Sequence, residues 1–300
     1  MSYQPGKNNT RSFVNEHKLK EQMCDIGRRI WLKGFCAGNE GNHSYRMSEN
    51  RFLCTPTGVS KGNLKPDDIC VVDGTGKQIS GKLKRTSEFM LHAAIYNARP
   101  DVNAIVHSHP PHATAFAVAG VEIPTCIHPE AEVFLGPVKT AKYVTPGDQR
   151  LGESILPYVK ESNTIILQSH GVVCFNADLE QAYYQLEIID AYSRILLLAK
   201  GLGSVKTLSG DEMSELIRLK ERVGLADPRI TEAKTGPMSC SASDFISRVG
   251  GEAGTRGRMM VGPVATSLMS SLNTTVSGQI TPEQFEAMVQ VITDQIMEAV

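Results

Sequence analysis

Apolar positions recur at helical spacing in the first part of the chain. Between residues 13 and 34, Val14, Met23, Ile26, Ile30 and Trp31 fall near one stripe, and Gly34 supplies a stop. A Gly/Asn-rich loop follows, CAGNEGNHSYR. RFLCTPTG and DICVVDGTGK then read as strands, the second ending in a turn. TSEFMLHAAIYNARP predicts a helix with Thr86 or Ser87 at its N-cap and Pro100 closing the segment. AIVHSH predicts a strand, and PPHATAFAVAG a helix opened by proline. TIILQSHGVVCF reads as one more buried strand, interrupted at His170-Gly171. Residues 178–200 form a long amphipathic helix that stops at Gly201, and 210–222 a shorter one.

The pattern changes after residue 230. Residues 231–279 are rich in Ser, Gly, Thr, Ala and Met without a sustained period, so they read as a flexible linker with a brief helix near 243–249. In residues 280–300, Thr281 is placed to cap a helix, Pro282 to open it and Gln284 to complete a capping box. Phe285, Met288, Val289, Ile292, Ile296 and Val300 then line one apolar face. No internal repeat is present.

Bulk composition narrows the class. The chain has 300 residues, 41% of them hydrophobic and 21% charged, with a net charge of -1. These values fit a soluble globular protein. No run of Lys/Arg is long enough to track a phosphate backbone, which argues against nucleic acid as a partner. Seven scattered cysteines with no C-x-x-C pair predict reduced thiols in a cytoplasmic setting. The first residues hold no apolar signal region, and no window reaches ~18 uninterrupted apolar residues, so no membrane association is expected.

The chemistry gathers in AIVHSHPP. Side chains two apart on a strand share a face, so His107 and His109 aim the same way. Two neutral imidazoles on one strand supply half of a tetrahedral zinc shell. His170 ends a second apolar run, and the following glycine permits close backbone approach. Glu88, just ahead of the H-x-H strand, is the acidic candidate for a fourth ligand or an exchangeable base. His92 shares its helical face and is read as a structural hydrogen-bonding residue, with His112 near the site. GNEGNHS offers a backbone nest plus the Asn42 amide. TPTG and RTSE offer hydroxyls, the second at a helix start that attracts phosphate. A substrate with a phosphate at one end and a chelating group at the other fits this set.

Taken in order, GNxS at 41–44, TPTG at 55–58, T-S-E-x-x-x-H at 86–92, H-S-H-P at 107–110 and S-H-G at 169–171 resemble the class II aldolase/adducin family over roughly residues 14–228. The resemblance implies an α/β fold, a three-layer α/β/α domain with a mainly antiparallel central sheet over 1–230. It implies a homotetramer with sites at subunit interfaces, and one Zn2+ per subunit on His107, His109 and His170. Glu88 would be a resting ligand and the acid/base in turnover. Asn42, Thr57, Gly58, Thr86 and Ser87 match phosphate-binding positions, with Asn39 nearby. The implied reaction is retro-aldol cleavage of a ketose 1-phosphate such as L-fuculose 1-phosphate to dihydroxyacetone phosphate and lactaldehyde.

Two departures stand out. The aldolases of this type carry a tyrosine where IHPEAEVFLG places Pro129, and a second near where Val223 stands. Glu132 is the replacement candidate for the proton donor, set against a structural glutamate. The alternatives to aldol cleavage are epimerisation or dehydration at the same metal site, or an adducin-like scaffold without catalysis. The terminal helix at 280–300 resembles an encapsulation peptide, which would bring microcompartment shell proteins in as partners and the compartment lumen as location. One helix of that length is marginal alone, so its alternative is docking on the enzyme itself.

Overall fold

The computed structural model describes residues 15–238 together with 242, 245 and 246. The expected terminal helix at 280–300 and most of the expected linker lie outside the described residues. Helix α1 runs Glu16–Leu32, and Asn15 caps it by accepting from the His17 and Lys18 N–H groups. Its buried stripe is Leu19, Met23, Ile26 and Ile30, while Trp31 is 51% exposed. Trp31 follows Ile30 by one residue, about 100° around the helix, and so falls off the stripe. Gly34 takes a positive φ of 69° and ends the helix as expected.

Among the described residues, eight strands form one sheet in the order β4-β3-β2-β1-β5-β8-β7-β6. They are β1 (Asn42–Ser48), β2 (Arg51–Cys54), β3 (Cys70–Val72), β4 (Gln78–Ser80), β5 (Ala104–Ser108), β6 (Lys139–Ala141), β7 (Thr164–Leu167) and β8 (Gly171–Asn176). Only the β6–β7 pair is parallel. The remaining elements are α2 (Phe89–Ala98), α3 (Pro111–Ala119), α4 (Pro129–Phe134), α5 (Arg150–Ile155), α6 (Leu179–Gly201), α7 (Gly210–Arg222) and α8 (Ile230–Thr235).

Side-chain alternation divides the core in two. On β5, Ala104 and Val106 join the cluster with α1, α3 and α6. Ile105 faces the other way, into the cluster with α2 and α5. Both faces of the sheet are therefore covered, which is why β5 and β8 read as continuous apolar runs. The three-layer arrangement with a mainly antiparallel sheet matches the expectation.

Three local readings differ. TIILQSHGVVCF is a hairpin of β7 and β8, with Leu167 paired to Gly171. The apolar run is continuous because both strands are central; the reversal is carried by Ser169 at φ 55°. The chain also stays packed beyond 230. Helix α8 packs on α7, Ala233 is buried, and Phe245 is 4% exposed and stacks on Phe116 at 5.9 Å. Small residues without period read as linker there, but among the described residues Ala233, Met238, Ala242 and Phe245 are buried. Finally, Cys24, Cys36, Cys54, Cys70 and Cys174 are free, whereas Cys126 is disulfide-bonded, against the expectation of thiols throughout. No helix among the described residues is long and apolar enough to cross a membrane.

Candidate metal centre

The alternation that sends Ile105 toward α2 sends His107 the same way. His109 lies just past the end of β5. His170 sits in the β7–β8 turn, where its N–H donates to the Leu167 carbonyl. The three rings converge, with centroids 4.7 to 5.1 Å apart. One nitrogen from each lies within 4.8 Å of the others. Gly171 makes this approach possible. A Cβ there would stand 2.5 Å from His109 Cδ2 and 2.6 Å from the Ser108 carbonyl oxygen, so only glycine fits.

Glu88 completes the group. Its carboxylate oxygens lie 3.4 Å from His107 Nε2 and 3.5 Å from His170 Nε2. Neither Thr86 nor Ser87 caps α2; Glu88 itself holds the N-cap position. Thr86 Oγ1 instead accepts the Glu88 N–H at 3.2 Å, a local turn that competes with helix capping. That turn frees the Glu88 side chain to face the histidines. Asn42 stands directly across from His107 in the β1–β5 register. Its Nδ2 donates to Glu88 Oε2 at 2.8 Å, and its buried Oδ1 has no hydrogen-bond partner among the described residues.

The donor set fits a divalent transition metal. The His107 Nδ1 is engaged with the Val172 carbonyl at 2.8 Å, so Nε2 is the nitrogen turned to its neighbours. Burial, then the adjoining His170 and His109, holds the His107 ring well below its ordinary pKa. Burial also lowers His170, against the pull of Glu88. Neutral rings are the form that ligates. Three imidazoles and a carboxylate suit zinc, among other divalent ions. Glu40 adds a residue that the sequence reading did not single out: its carboxylate is 3.3 Å from His109 Nδ1.

A cavity of about 280 Å³ joins this cluster to Asn42, Thr57, Thr86 and Ser87. The TPTG and RTSE loops are tied together by Thr86 N–H to Thr55 O and Thr57 N–H to Lys84 O. Gly58 does not line the cavity; it serves the turn at φ 74°. A larger cavity of about 790 Å³ opens between α4, α6 and residues 225–228, and no histidine lines it.

The other candidates fall elsewhere. His92 is buried, and its Nδ1 shares a 2.6 Å hydrogen bond with Ser44 Oγ, as a structural residue should. His112 pairs with Asp190, which also accepts the backbone N–H groups of His112 and Ala113 at the start of α3. Glu132 does not line the metal cavity. It is 3% exposed in α4, where Oε1 accepts the Cys126 N–H and Oε2 pairs with Arg229 at 2.8 Å. Both oxygens are committed, and this glutamate braces α4 against the segment after α7.

Residues 21–197 match the family described as Class II Aldolase and Adducin N-terminal domain. The L-fuculose phosphate aldolase of Methanocaldococcus jannaschii is 36% identical over 179 residues, 60% of this chain and 96% of that protein. That of Escherichia coli K12 is 30% identical over 213 residues, 71% of this chain and 98% of its own. A solved structure of L-fuculose 1-phosphate aldolase superposes with a TM-score of 0.64 at 25% identity, covering 71% of this chain and 99% of that one.

Proposed function

The chain belongs to the class II aldolase and adducin family and is an aldolase-type lyase, and from that premise we propose that it cleaves a ketose 1-phosphate between C3 and C4. L-Fuculose 1-phosphate is the first-choice substrate, giving dihydroxyacetone phosphate and lactaldehyde, because relatives carry that name. The observation that supports the reading is the convergence of His107, His109 and His170 with Glu88 at one end of a cavity with Thr57, Thr86 and Ser87 around it.

His107, His109 and His170 would hold a divalent cation, zinc in this reading, with Glu88 as a further ligand at rest. Bound there, the cation supplies Lewis-acid polarisation of the substrate carbonyl. The chain's own residues do the rest. Asn42 holds the Glu88 carboxylate toward the histidines. As the Glu88 carboxylate takes up the C4 hydroxyl proton, the C3–C4 bond breaks to an aldehyde and its electron pair passes to C3. Glu88, hydrogen-bonded and 8% exposed, then delivers a proton to C3 as general acid. Thr57, Thr86, Ser87 and the neighbouring backbone receive the phosphate, and their fixed position orients the reacting carbons. Glu132 has no part in this sequence of steps.

A screen of fuculose, rhamnulose and ribulose phosphates with and without chelator tests the proposal. Release of dihydroxyacetone phosphate that stops with chelator and returns with zinc supports it. An epimerised or dehydrated product without dihydroxyacetone phosphate replaces aldol cleavage by the alternative chemistry. A metal-free protein after mild purification, inert on every substrate, revives the scaffold reading. We further propose a cytoplasmic homotetramer, as the family resemblance implies, whose residues 280–300 bind microcompartment shell proteins through the apolar face that their sequence pattern predicts. Deleting 280–300 should keep turnover and abolish co-sedimentation with shells; loss of the tetramer instead would make the segment structural.

A further inference from the structure

One buried charge in the cavity has no role in the steps above. Lys61 opens the short turn Lys61–Asn63 and is 1% exposed. Its Nζ donates to the Asn39 carbonyl at 2.8 Å and the Val59 carbonyl at 2.7 Å. No carboxylate among the described residues forms an ion pair with it. An ammonium taken out of water with only carbonyls for partners carries a large desolvation cost. It also has three donors, of which two are used.

The two carbonyls belong to separate loops. Asn39 lies in GNEGNHS and Val59 directly follows TPTG. Both loops edge the cavity, and Lys61 lines it with Asn42, Thr57, Thr86 and Ser87. The surroundings offer no other obvious compensation. The His43 ring nearby is fully buried, has no hydrogen-bond partner at either nitrogen among the described residues and is lowered to about 3 by burial and then by the Lys61 charge. The Cys36 thiol is raised by burial and stays neutral. Glu88 acts on Lys61 only through space, and Glu40 reaches toward His109.

We infer that Lys61 is a positioning residue for the substrate phosphate: it ties the two anion-receiving loops together and supplies a buried positive charge that a bound oxyanion neutralises. This rests on the reading that the substrate is phosphorylated. A tie between two carbonyls alone needs only a neutral donor; a charge is useful where an anion arrives. Hydroxyls and backbone N–H groups by themselves leave a phosphate dianion without a full counter-charge.

The test uses inorganic phosphate and sulfate as probes. Trp31 is the single tryptophan, and its ring lies against Gly62, where a Cβ would come within 2.6 Å of Cγ. Its fluorescence therefore reports on the loop beside Lys61. Lys61→Gln keeps a neutral donor, and Lys61→Met keeps only the length. Both should weaken phosphate binding and raise KM for the sugar phosphate about 10–100-fold, the loss of a charge-assisted contact. The kcat should stay within about threefold, and cleavage of the unphosphorylated sugar should be unchanged. Wild-type phosphate affinity and KM in both variants overturn the inference.

A second measurement needs no variant. Burial lowers the Lys61 ammonium to about 8. Sulfate keeps its charge across this range, so its affinity for the wild-type chain should fall as pH rises past about 8. A flat profile from pH 7 to 9.5 overturns the inference. Phosphate binding that depends on Lys61 in an enzyme that cleaves no sugar phosphate keeps the inference and removes the aldolase substrate. Cleavage with KM indifferent to Lys61 does the reverse.

Discussion

Glu132→Gln separates a proton donor from a structural brace. The side chain is 3% exposed. One oxygen accepts the Cys126 N–H, and the other sits 2.8 Å from Arg229. Replacing the carboxylate by an amide keeps the acceptor for Cys126 and removes the charge opposite Arg229. Breaking an isolated buried ion pair costs about 3–5 kcal/mol. Here Arg229 keeps Asp227, 2.9 Å away, so the loss approaches that of one charged hydrogen bond, about 2 kcal/mol. For a domain of this size that corresponds to a Tm lower by about 4–8 °C. Thermal unfolding by circular dichroism and kcat on the preferred sugar phosphate are the two readouts. A general acid contributes about 10²–10⁴-fold to rate, whereas a brace in α4 leaves kcat within about threefold. The reasoning is refuted if kcat drops 100-fold or more while Tm stays at the wild-type value.

Four further outcomes follow from the same geometry. His170→Ala removes one of three converging nitrogens and should leave the chain without bound metal in elemental analysis, while the chelated form keeps its Tm. Glu40→Gln removes the charge beside His109 while its amide oxygen can still accept the Ala37 N–H, so it should lower metal affinity about 10–100-fold in a competition titration; unaltered affinity would show that the contact orients nothing. Gly171→Ala forces a methyl onto His109 and the Ser108 carbonyl, and should cost metal affinity more than stability, as read by titration alongside unfolding. For Asp227, burial raises the carboxyl, but the bonds from Arg229 and Lys220 outweigh it and hold the group at about 2. Its folded pKa is depressed from an ordinary 3.8, so about 2 kcal/mol of stability is present above pH 4 and lost as pH falls through 2. Asp227→Asn should flatten the acid limb of the stability profile in that window.

What could be read in advance follows the range of the interactions. Period-two alternation places His107 and His109 on one face with no knowledge of any partner strand. Burial of the helix stripe at Leu19, Met23, Ile26 and Ile30 is equally local. The hairpin at 168–170 leaves no signal in the sequence because its turn contains neither glycine nor proline at the reversing position; Ser169 takes the positive φ. The cap of α2 differs from the pattern because Thr86 spends its hydroxyl on the turn that aims Glu88. That same hydroxyl pattern, TSE, signals both outcomes, and only the burial of Glu88 against His107 decides between them.

Glu132 shows where sequence reading of a site stops, because its surroundings favour the structural alternative over the proton donor. An acid in the loop that follows the H-x-H helix is a reasonable replacement for a missing tyrosine. Its role, however, depends on Arg229, which lies 97 residues away and neutralises it. Lys61 is the mirror case. Nothing in the spacing of VSKGN marks that lysine, and a lysine is ordinarily solvated. Its meaning appears only once the chain buries it at a junction of two loops with carbonyls alone for company. A buried charge that the fold leaves without a counter-charge is a candidate for function, whereas one already paired reads first as structural. Glu132 has one and Lys61 does not, so catalysis should be insensitive to the first and substrate capture sensitive to the second. Measured side by side, Glu132→Gln should change Tm and spare KM, while Lys61→Gln should change KM and spare kcat.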